Sequence, residues 1–147
     1  EIEAKLTGEI DSHSHAEVGQ LPDYTAGDFL LIASPDEKTS FSTSWFIRKE
    51  FRVCRGGTLR IKFDLKSSGY YSPVAYGIIY RNGSPVGTQQ SRAGDYVTFS
   101  EDISGWSVGD LCQLYTRSSS IYATAHCQNF KLYSGTILNE LENDVGI

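Results

Sequence analysis

The clearest pattern in the chain is a strict alternation of apolar and charged side chains in residues 59–66. Leu59, Ile61, Phe63 and Leu65 are apolar, and a charged residue follows each of them. Successive side chains of a β-strand point to opposite sides of the sheet, so a period of two gives one buried side and one solvent-facing side. The pattern predicts a strand whose four apolar side chains all point into the core.

Turn signals separate this strand from several others. The apolar run 74–80 ends at Asn82-Gly83, the dipeptide that best tolerates the positive φ angles of a tight hairpin. Residues 29–33 predict a short buried strand. Further strand-like runs occupy residues 44–53, 96–99, 111–117 and 122–133. Roughly seven or eight short strands predict an all-β fold, an antiparallel two-sheet sandwich resembling a jelly roll.

The two ends of the chain differ from this central part. Residues 1–27 contain three glycines and one proline but few large apolar side chains, which predicts an extended N-terminal arm or connector. Residues 28–134 form the predicted sandwich domain. Residues 135–147 form a short, acidic C-terminal tail whose apolar residues have roughly helical spacing.

Composition narrows the class of partner. A hydrophobic content of 39% is ordinary for a globular protein, and a length of 147 residues suits one domain. The formal charge of −5 weighs against nucleic acid, because phosphate binding favours a basic surface. The longest uninterrupted apolar run, residues 29–33, is too short to cross a bilayer. We therefore expect a soluble protein with no nucleic-acid partner and no membrane insertion.

Three cysteines leave at least one thiol unpaired in a monomer, and their spacing does not suit zinc. Buried apolar thiols are therefore favoured over a disulfide. If the polar loop at residues 118–121 closes a regular hairpin, stepping back in register places Cys112 opposite Cys127. We expect these two residues to be cross-strand neighbours, with Cys54 apart from at least one of them.

One segment has the composition of a metal site. In the run from Asp11 to His15, His13 and His15 lie two residues apart, so an extended chain presents both imidazoles on one side. Two ligands are too few for a tight site. Three copies around a threefold axis would supply six imidazoles, which suits an octahedral ion such as iron(II) or nickel(II). The alternative is a pair of exposed histidines in a flexible arm.

Aromatic residues in turns are candidates for ligand binding. Tyr70 and Tyr71 lie in a loop rich in serine, and Trp106 lies in another turn. Exposed rings stack on sugar faces or fill partner pockets. Alternatively, Trp106 closes the end of the sandwich and the tyrosines cover its rim. No nucleophile, base or paired carboxylate has a catalytic spacing, so we expect the protein not to be an enzyme.

A family resemblance covers a little over half of the chain. Its strand and turn segments resemble β-sandwich modules of bacteriophage structural proteins, in residues 59–65, 80–83, 96–103, 109–110 and 130–133. The His13 and His15 element is similar to His-x-His segments of trimeric phage tail fibres and spikes. In those proteins iron lies on the threefold axis, so the resemblance implies a homotrimer with a metal between subunits.

These observations favour a non-enzymatic phage structural protein. The first hypothesis is a trimeric tail-fibre or receptor-binding module in the virion, which contacts other virion proteins and a host surface, including surface glycans. The second is a capsid decoration protein. An alternative from another class is a secreted carbohydrate-binding module, and aromatic residues aligned on one sheet face would favour it.

Overall fold

The computed structural model of the chain describes residues 23–137, which contain eleven β-strands. In chain order they are β1 (Asp23–Tyr24), β2 (Phe29–Ser34), β3 (Lys38–Ser40), β4 (Phe46–Arg52), β5 (Gly56–Gly69), β6 (Ala75–Arg81), β7 (Ser84–Pro85), β8 (Gln90–Arg92), β9 (Val97–Trp106), β10 (Leu111–Ser118) and β11 (Ala123–Ser134). This part of the chain has no helix long and apolar enough to cross a membrane.

The strands form two sheets. In sheet A, β5 and β11 pair with each other, β9 flanks β5, and β2 and β3 share the far edge of β11. In sheet B, β10 lies between β4 and β6, and β7 and β8 share the far edge of β6. All these pairs are antiparallel, whereas β1 runs parallel to the start of β5. The predicted all-β, two-sheet antiparallel sandwich is confirmed.

The core lies between the sheets, and β5 supplies its centre. Leu59, Ile61 and Leu65 are 0% exposed and Phe63 is 3% exposed, so the prediction from their alternation is confirmed. The ring of Phe63 packs against sheet B at Gly77. A Cβ at that glycine would lie 2.9 Å from the Phe63 ring, so a side chain there would displace one of the two. The absence of a side chain lets the sheets approach closely.

The predicted hairpin at Asn82-Gly83 is also confirmed. β6 and β7 pair on either side of it, with Arg81 opposite Ser84. The φ angles of Asn82 and Gly83 are 51° and 85°, both in the left-handed region that this two-residue turn requires.

The expected pairing of Cys112 with Cys127 is wrong. Cys112 lies in sheet B between Phe51 and Arg81, whereas Cys127 lies in sheet A between Lys38 and Leu65. The loop between β10 and β11 therefore crosses from one sheet to the other. A polar loop of hairpin length does not by itself distinguish a hairpin from such an arch. All three cysteines are free, and Cys112 and Cys127 are buried, as the favoured interpretation of the thiols required. Cys54 is exposed, so that interpretation is wrong for this residue.

Residues 29–33 were expected to form a buried strand, and the expected burial is wrong. The strand exists as β2, but Phe29 is 60% exposed, Leu30 47% and Ile32 39%. Among the strands of residues 23–137, β2 lies at the edge of sheet A and pairs with β11 alone. An edge strand is covered on fewer sides than a central one, so apolar composition alone overestimated its burial.

Both ends of the described chain meet beside β5. The Thr25 N–H donates to the Thr136 carbonyl at 2.8 Å, and the Gly135 N–H donates to the Thr25 carbonyl at 2.7 Å. Tyr24 and Ile137 form an antiparallel bridge. Most of the predicted arm, and the predicted helical spacing of the tail, fall outside the described residues, so the arm and tail boundaries stay a prediction.

Candidate functional site

The outer face of sheet B carries a group of aromatic side chains. Strand alternation directs Cys112, Leu114 and Thr116 into the core, so their neighbours on β10 point outward. The register of the sheet aligns outward residues of the flanking strands with them in three rows, and Trp45, which precedes β4, joins the third row by its contact with Arg117. We call this set the aromatic face, and it comprises Trp45, Ile47, Glu50, Tyr76, Ile78, Tyr80, Gln113, Tyr115 and Arg117.

Two tyrosines form the centre of the aromatic face. The rings of Tyr80 and Tyr115 are stacked, with centroids 3.8 Å apart and an interplanar angle of 18°. Ile47 and Ile78 flank Tyr115 in register, one on each side. Each ring therefore covers one face of the other, and the pair forms an apolar centre together with the two isoleucines.

The second part of the aromatic face is built around Arg117. Its guanidinium carbon lies 4.1 Å from the ring centroid of Tyr76 and 5.3 Å from that of Trp45. Both contacts fall within the distance at which a cation is attracted to the face of a ring. The three side chains hold one another in place across the neighbouring strands.

A polar edge completes the face beside Tyr80. The Gln113 side-chain amide donates to the Glu50 carboxylate at 2.7 Å, and its carbonyl oxygen accepts from the Gly83 N–H at 2.9 Å. Gln113 is buried to 7% exposure, so these bonds fix its position. Glu50 is exposed and keeps one carboxylate oxygen available to an incoming hydroxyl group.

Most polar groups of the aromatic face have no partner in the described part of the chain. The phenol groups of its three tyrosines, the indole N–H of Trp45 and the Arg117 guanidinium make no hydrogen bond there. From strand geometry, the face extends about 13 Å from Tyr76 to Tyr80 and about 10 Å across three strands. It can therefore stack against a ligand of several rings and hydrogen-bond its edges.

The outer face of sheet A is different, because its polar groups bind one another. Arg60 donates to Asp102 at 2.9 Å and to Asp28 at 2.8 Å. Hydrogen bonding by Arg60 is the main cause that lowers the pKa of Asp102. The Asp64 carboxylate accepts from Thr98, Gln128 and Asn129. These pairs leave few free groups, so this face offers less to a ligand.

His126 also lies on the outer face of sheet A. Its Nε2 atom is 2.6 Å from the Ser68 hydroxyl, and its Nδ1 atom is 3.6 Å from the Glu37 carboxylate. Burial lowers the pKa of His126, and the proximity of Lys66 adds to the effect, although Glu37 opposes it. The Ser68 hydroxyl and Nε2 share a hydrogen bond in which the donor depends on the tautomer of the imidazole. Sequence reasoning missed this group because its members are far apart in the chain.

The two tyrosines predicted to bind a ligand are exposed at one end of the sandwich. Tyr70 is 74% exposed and Tyr71 is 83% exposed, and Tyr71 contacts the edge of Tyr122 with ring centroids 5.2 Å apart. Tyr71 has a φ of 62°, which is uncommon for a residue with a side chain. The loop that carries them leads into the Tyr76 end of the aromatic face.

The structure does not support ligand binding by Trp106. Its side chain is 2% exposed, and the Arg81 guanidinium covers the ring at 5.0 Å. The ring belongs to the hydrophobic core between the sheets. His13 and His15 lie outside the described residues, so their metal site stays a prediction. Residues 23–137 contain no cluster of three or more His, Cys, Asp or Glu side chains suited to a metal ion.

No protein-family model and no curated protein sequence matches the chain. Among solved structures, the C-terminal domain of EclA, described as a sugar-binding protein, has a TM-score of 0.51 at 12% identity and matches 71% of this chain and 81% of that one. The insecticidal δ-endotoxin Cry8Ea1 of Bacillus thuringiensis has a TM-score of 0.50 at 14% identity. The CBM22-1 xylan-binding domain of Paenibacillus barcinonensis Xyn10C has a TM-score of 0.48 at 15% identity, over 76% of this chain and 97% of that one.

At these identities the likeness concerns the fold. The match to Cry8Ea1 covers 67% of this chain but only 19% of the toxin, so it concerns one part of a longer protein. The chain has the β-sandwich fold that it shares with the EclA domain and with that part of the toxin.

Proposed function

We propose that the chain is a non-enzymatic carbohydrate-binding β-sandwich whose ligand lies on the aromatic face of sheet B. One observation carries the proposal, namely the row of half-buried rings whose phenol, indole and guanidinium groups have no partner among the described residues. The C–H faces of a sugar stack on aromatic rings, while its hydroxyl groups need donors and acceptors beside those rings. The aromatic face provides both.

The contrast between the two outer faces adds support. An antiparallel sheet with one solvated side normally shows polar residues there, as sheet A does. A half-buried aromatic surface on the outer side of the other sheet is typical of a binding site. The shared fold with the EclA domain, which is described as sugar-binding, agrees with this function. These observations favour the alternative raised from the sequence over the leading phage hypothesis.

Affinity electrophoresis in gels containing soluble polysaccharides tests the proposal. The panel should include xylan, galactan, mannan, mixed-linkage glucan and polygalacturonate. We expect retardation by at least one polymer, and a loss of affinity of about tenfold or more, about 1.4 kcal/mol, in Tyr115→Ala. Tyr133→Ala is the matched control, because Tyr133 lies on the outer side of sheet A beneath Lys62.

The control variant should bind as the parent does, and both variants should melt cooperatively near the parent. Equal loss in Tyr115→Ala and Tyr133→Ala would mean that the aromatic face is not the site. Failure of every polymer to retard the parent would contradict the proposed function.

The sequence favours a second candidate, a trimeric receptor-binding or decoration protein of a phage particle. Its support is the resemblance of His13 and His15 to metal-binding segments of phage fibres. Sugar binding is compatible with this setting, since host surfaces carry glycans. A secreted module is the alternative location.

Sedimentation of the full chain, with and without a chelator, tests the second candidate. We expect a trimer that contains iron or another transition metal and that loosens when both histidines are replaced by alanine. A metal-free monomer at high protein concentration would contradict the metal-linked trimer but would not bear on the proposed sugar site.

A further inference from the structure

Arg117 differs from Arg60 and Arg52, which lie on the outer sides of β5 and β4. Arg60 forms ion pairs with Asp28 and Asp102, and Arg52 donates to the Gly109 carbonyl at 2.9 Å. Arg117 has no carboxylate or carbonyl partner in the described part of the chain. Among residues 23–137, its contacts are with the rings of Tyr76 and Trp45.

This arrangement leaves the hydrogen-bond donors of the guanidinium available to a ligand. The contacts with the two rings use none of the N–H donors of the guanidinium, and these donors have no hydrogen-bond partner among the described residues. Two parallel N–H groups match the spacing of the two oxygens of a carboxylate. A half-buried cation fixed by aromatic walls is therefore ready to accept an anion without further ordering of its side chain.

We propose that Arg117 binds the carboxylate of an acidic sugar, such as a uronic acid unit of a polysaccharide. The proposal rests on the proposed function, because it takes the aromatic face as the sugar site. The bound chain runs along the face from the Arg117 end to the Tyr80 and Tyr115 stack. Neutral units of the same chain lie on that stack and bond to the Glu50 and Gln113 edge.

The charge distribution on the aromatic face favours a single carboxylate over a polyanion. Arg117 is the one cationic member of the face, and Glu50 lies about 13 Å away along the strands, two rows from Arg117. Nucleic acid and polyphosphate need several cations. The net charge of −5 disfavours them further. A carboxylate that is separated from others along a sugar chain can bind one guanidinium and needs no patch of several cations.

Matched polymers isolate the role of the carboxylate. Glucuronoxylan and hyaluronate, in which neutral units separate the uronic acids, should each be compared with the same polymer after its carboxylates are reduced to alcohols. We expect the parent to bind at least one acidic polymer about tenfold more tightly than its reduced form. Raising sodium chloride to about 0.5 M should narrow that difference, because salt screens charge.

Variants assign the effect to Arg117. Arg117→Gln should remove the preference for the acidic form while keeping the affinity for the reduced polymer, and Arg117→Lys should restore part of the preference. Lys131→Gln, which removes one positive charge from the outer side of β11 in sheet A, should behave as the parent. Retention of the preference in Arg117→Gln would overturn the assignment.

Two other results are decisive. Equal affinity of the parent for acidic and reduced polymers, with binding still lost in Tyr115→Ala, would overturn the role of Arg117 and leave the sugar site standing. Polyglutamate should bind more weakly than the acidic polysaccharides. If it binds with the same affinity, and if this binding depends on Arg117, the carboxylate need not come from a sugar and the proposal is wrong.

Discussion

Truncation of Phe63 to alanine tests the packing between the sheets. Phe63 is 3% exposed at the centre of β5, its ring centroid lies 5.8 Å from that of Phe99, and its ring edge approaches Gly77 of sheet B. Removal of a buried aromatic ring loses transfer energy and leaves a cavity, which together cost about 3–5 kcal/mol. Burial of about 150 Å² at 25 cal/mol per Å² gives roughly 4 kcal/mol, in agreement.

Urea unfolding followed by tryptophan fluorescence measures this loss. The midpoint should fall while the dependence on urea stays the same, since the surface exposed on unfolding is similar. Tyr133→Ala, which removes a ring from the outside of sheet A, should change the free energy of unfolding by less than about 1 kcal/mol. A loss below about 1 kcal/mol for Phe63→Ala would refute the placement of Phe63 in the core.

A double-mutant cycle sharpens the test. Gly77→Ala places a Cβ 2.9 Å from the Phe63 ring and should cost about 1–3 kcal/mol by overpacking. The same substitution in a Phe63→Leu background should cost less, because the ring edge that it meets is gone. Equal cost in both backgrounds would show that Gly77 and Phe63 do not oppose each other across the core.

Three further predictions concern the reactivity of the thiols, the dependence of stability on pH and the absence of a reactive serine. A thiol reagent should modify Cys54 in the folded protein but reach Cys112 and Cys127 only on unfolding. Burial raises the pKa of the Cys127 thiol to about 11 and also raises the pKa of the Cys112 thiol. Rapid labelling of all three thiols in the folded protein would contradict this burial. Because burial lowers the pKa of His126 from 6.5, the folded state binds this proton less tightly than the unfolded state. The contribution of His126 to the free energy of unfolding is therefore present above pH 6.5 and is lost as the pH falls through the pKa of the folded state. If the dependence of stability on pH is the same in His126→Gln as in the parent, His126 does not have this role. Finally, a fluorophosphonate probe should leave Ser68 unmodified if the protein is not an enzyme, so stoichiometric labelling of Ser68 would reverse that expectation.

Local sequence signals predicted the parts of the fold that depend on neighbouring residues. The alternation around Phe63 specifies one buried face, and Asn82-Gly83 specifies a turn, without reference to the rest of the chain. The position of β10 and β11 in different sheets depends on contacts far apart in sequence. The Ser118 N–H, for example, donates to the Ser42 carbonyl at 2.7 Å and helps to tie the arch to another loop. No pattern near Cys112 or Cys127 reports such a contact.

The aromatic face was missed for a related reason. In β6, Tyr76, Ile78 and Tyr80 alternate with Ala75 and Gly77, so both sides of the strand look apolar and the run resembles a buried strand. The signal that was present lies in the regular spacing of tyrosines on one side of β6, together with Tyr115 and Arg117 on one side of β10. Recognising it required knowledge that β6 and β10 are neighbours. The exposed Tyr70 and Tyr71 were found because a serine-rich loop is a local feature.

The most direct test of the sugar site maps the ligand onto the sheets. An oligosaccharide of a polymer that binds should be titrated into ¹⁵N-labelled protein while amide and aromatic signals are followed by NMR. We predict that the largest shifts fall on the outward residues of β6 and β10, with Tyr76, Tyr80 and Tyr115 among them, and that signals of Lys62 and His126 stay in place. Shifts confined to the outer face of sheet A, or to the loop of Tyr70 and Tyr71, would contradict the account.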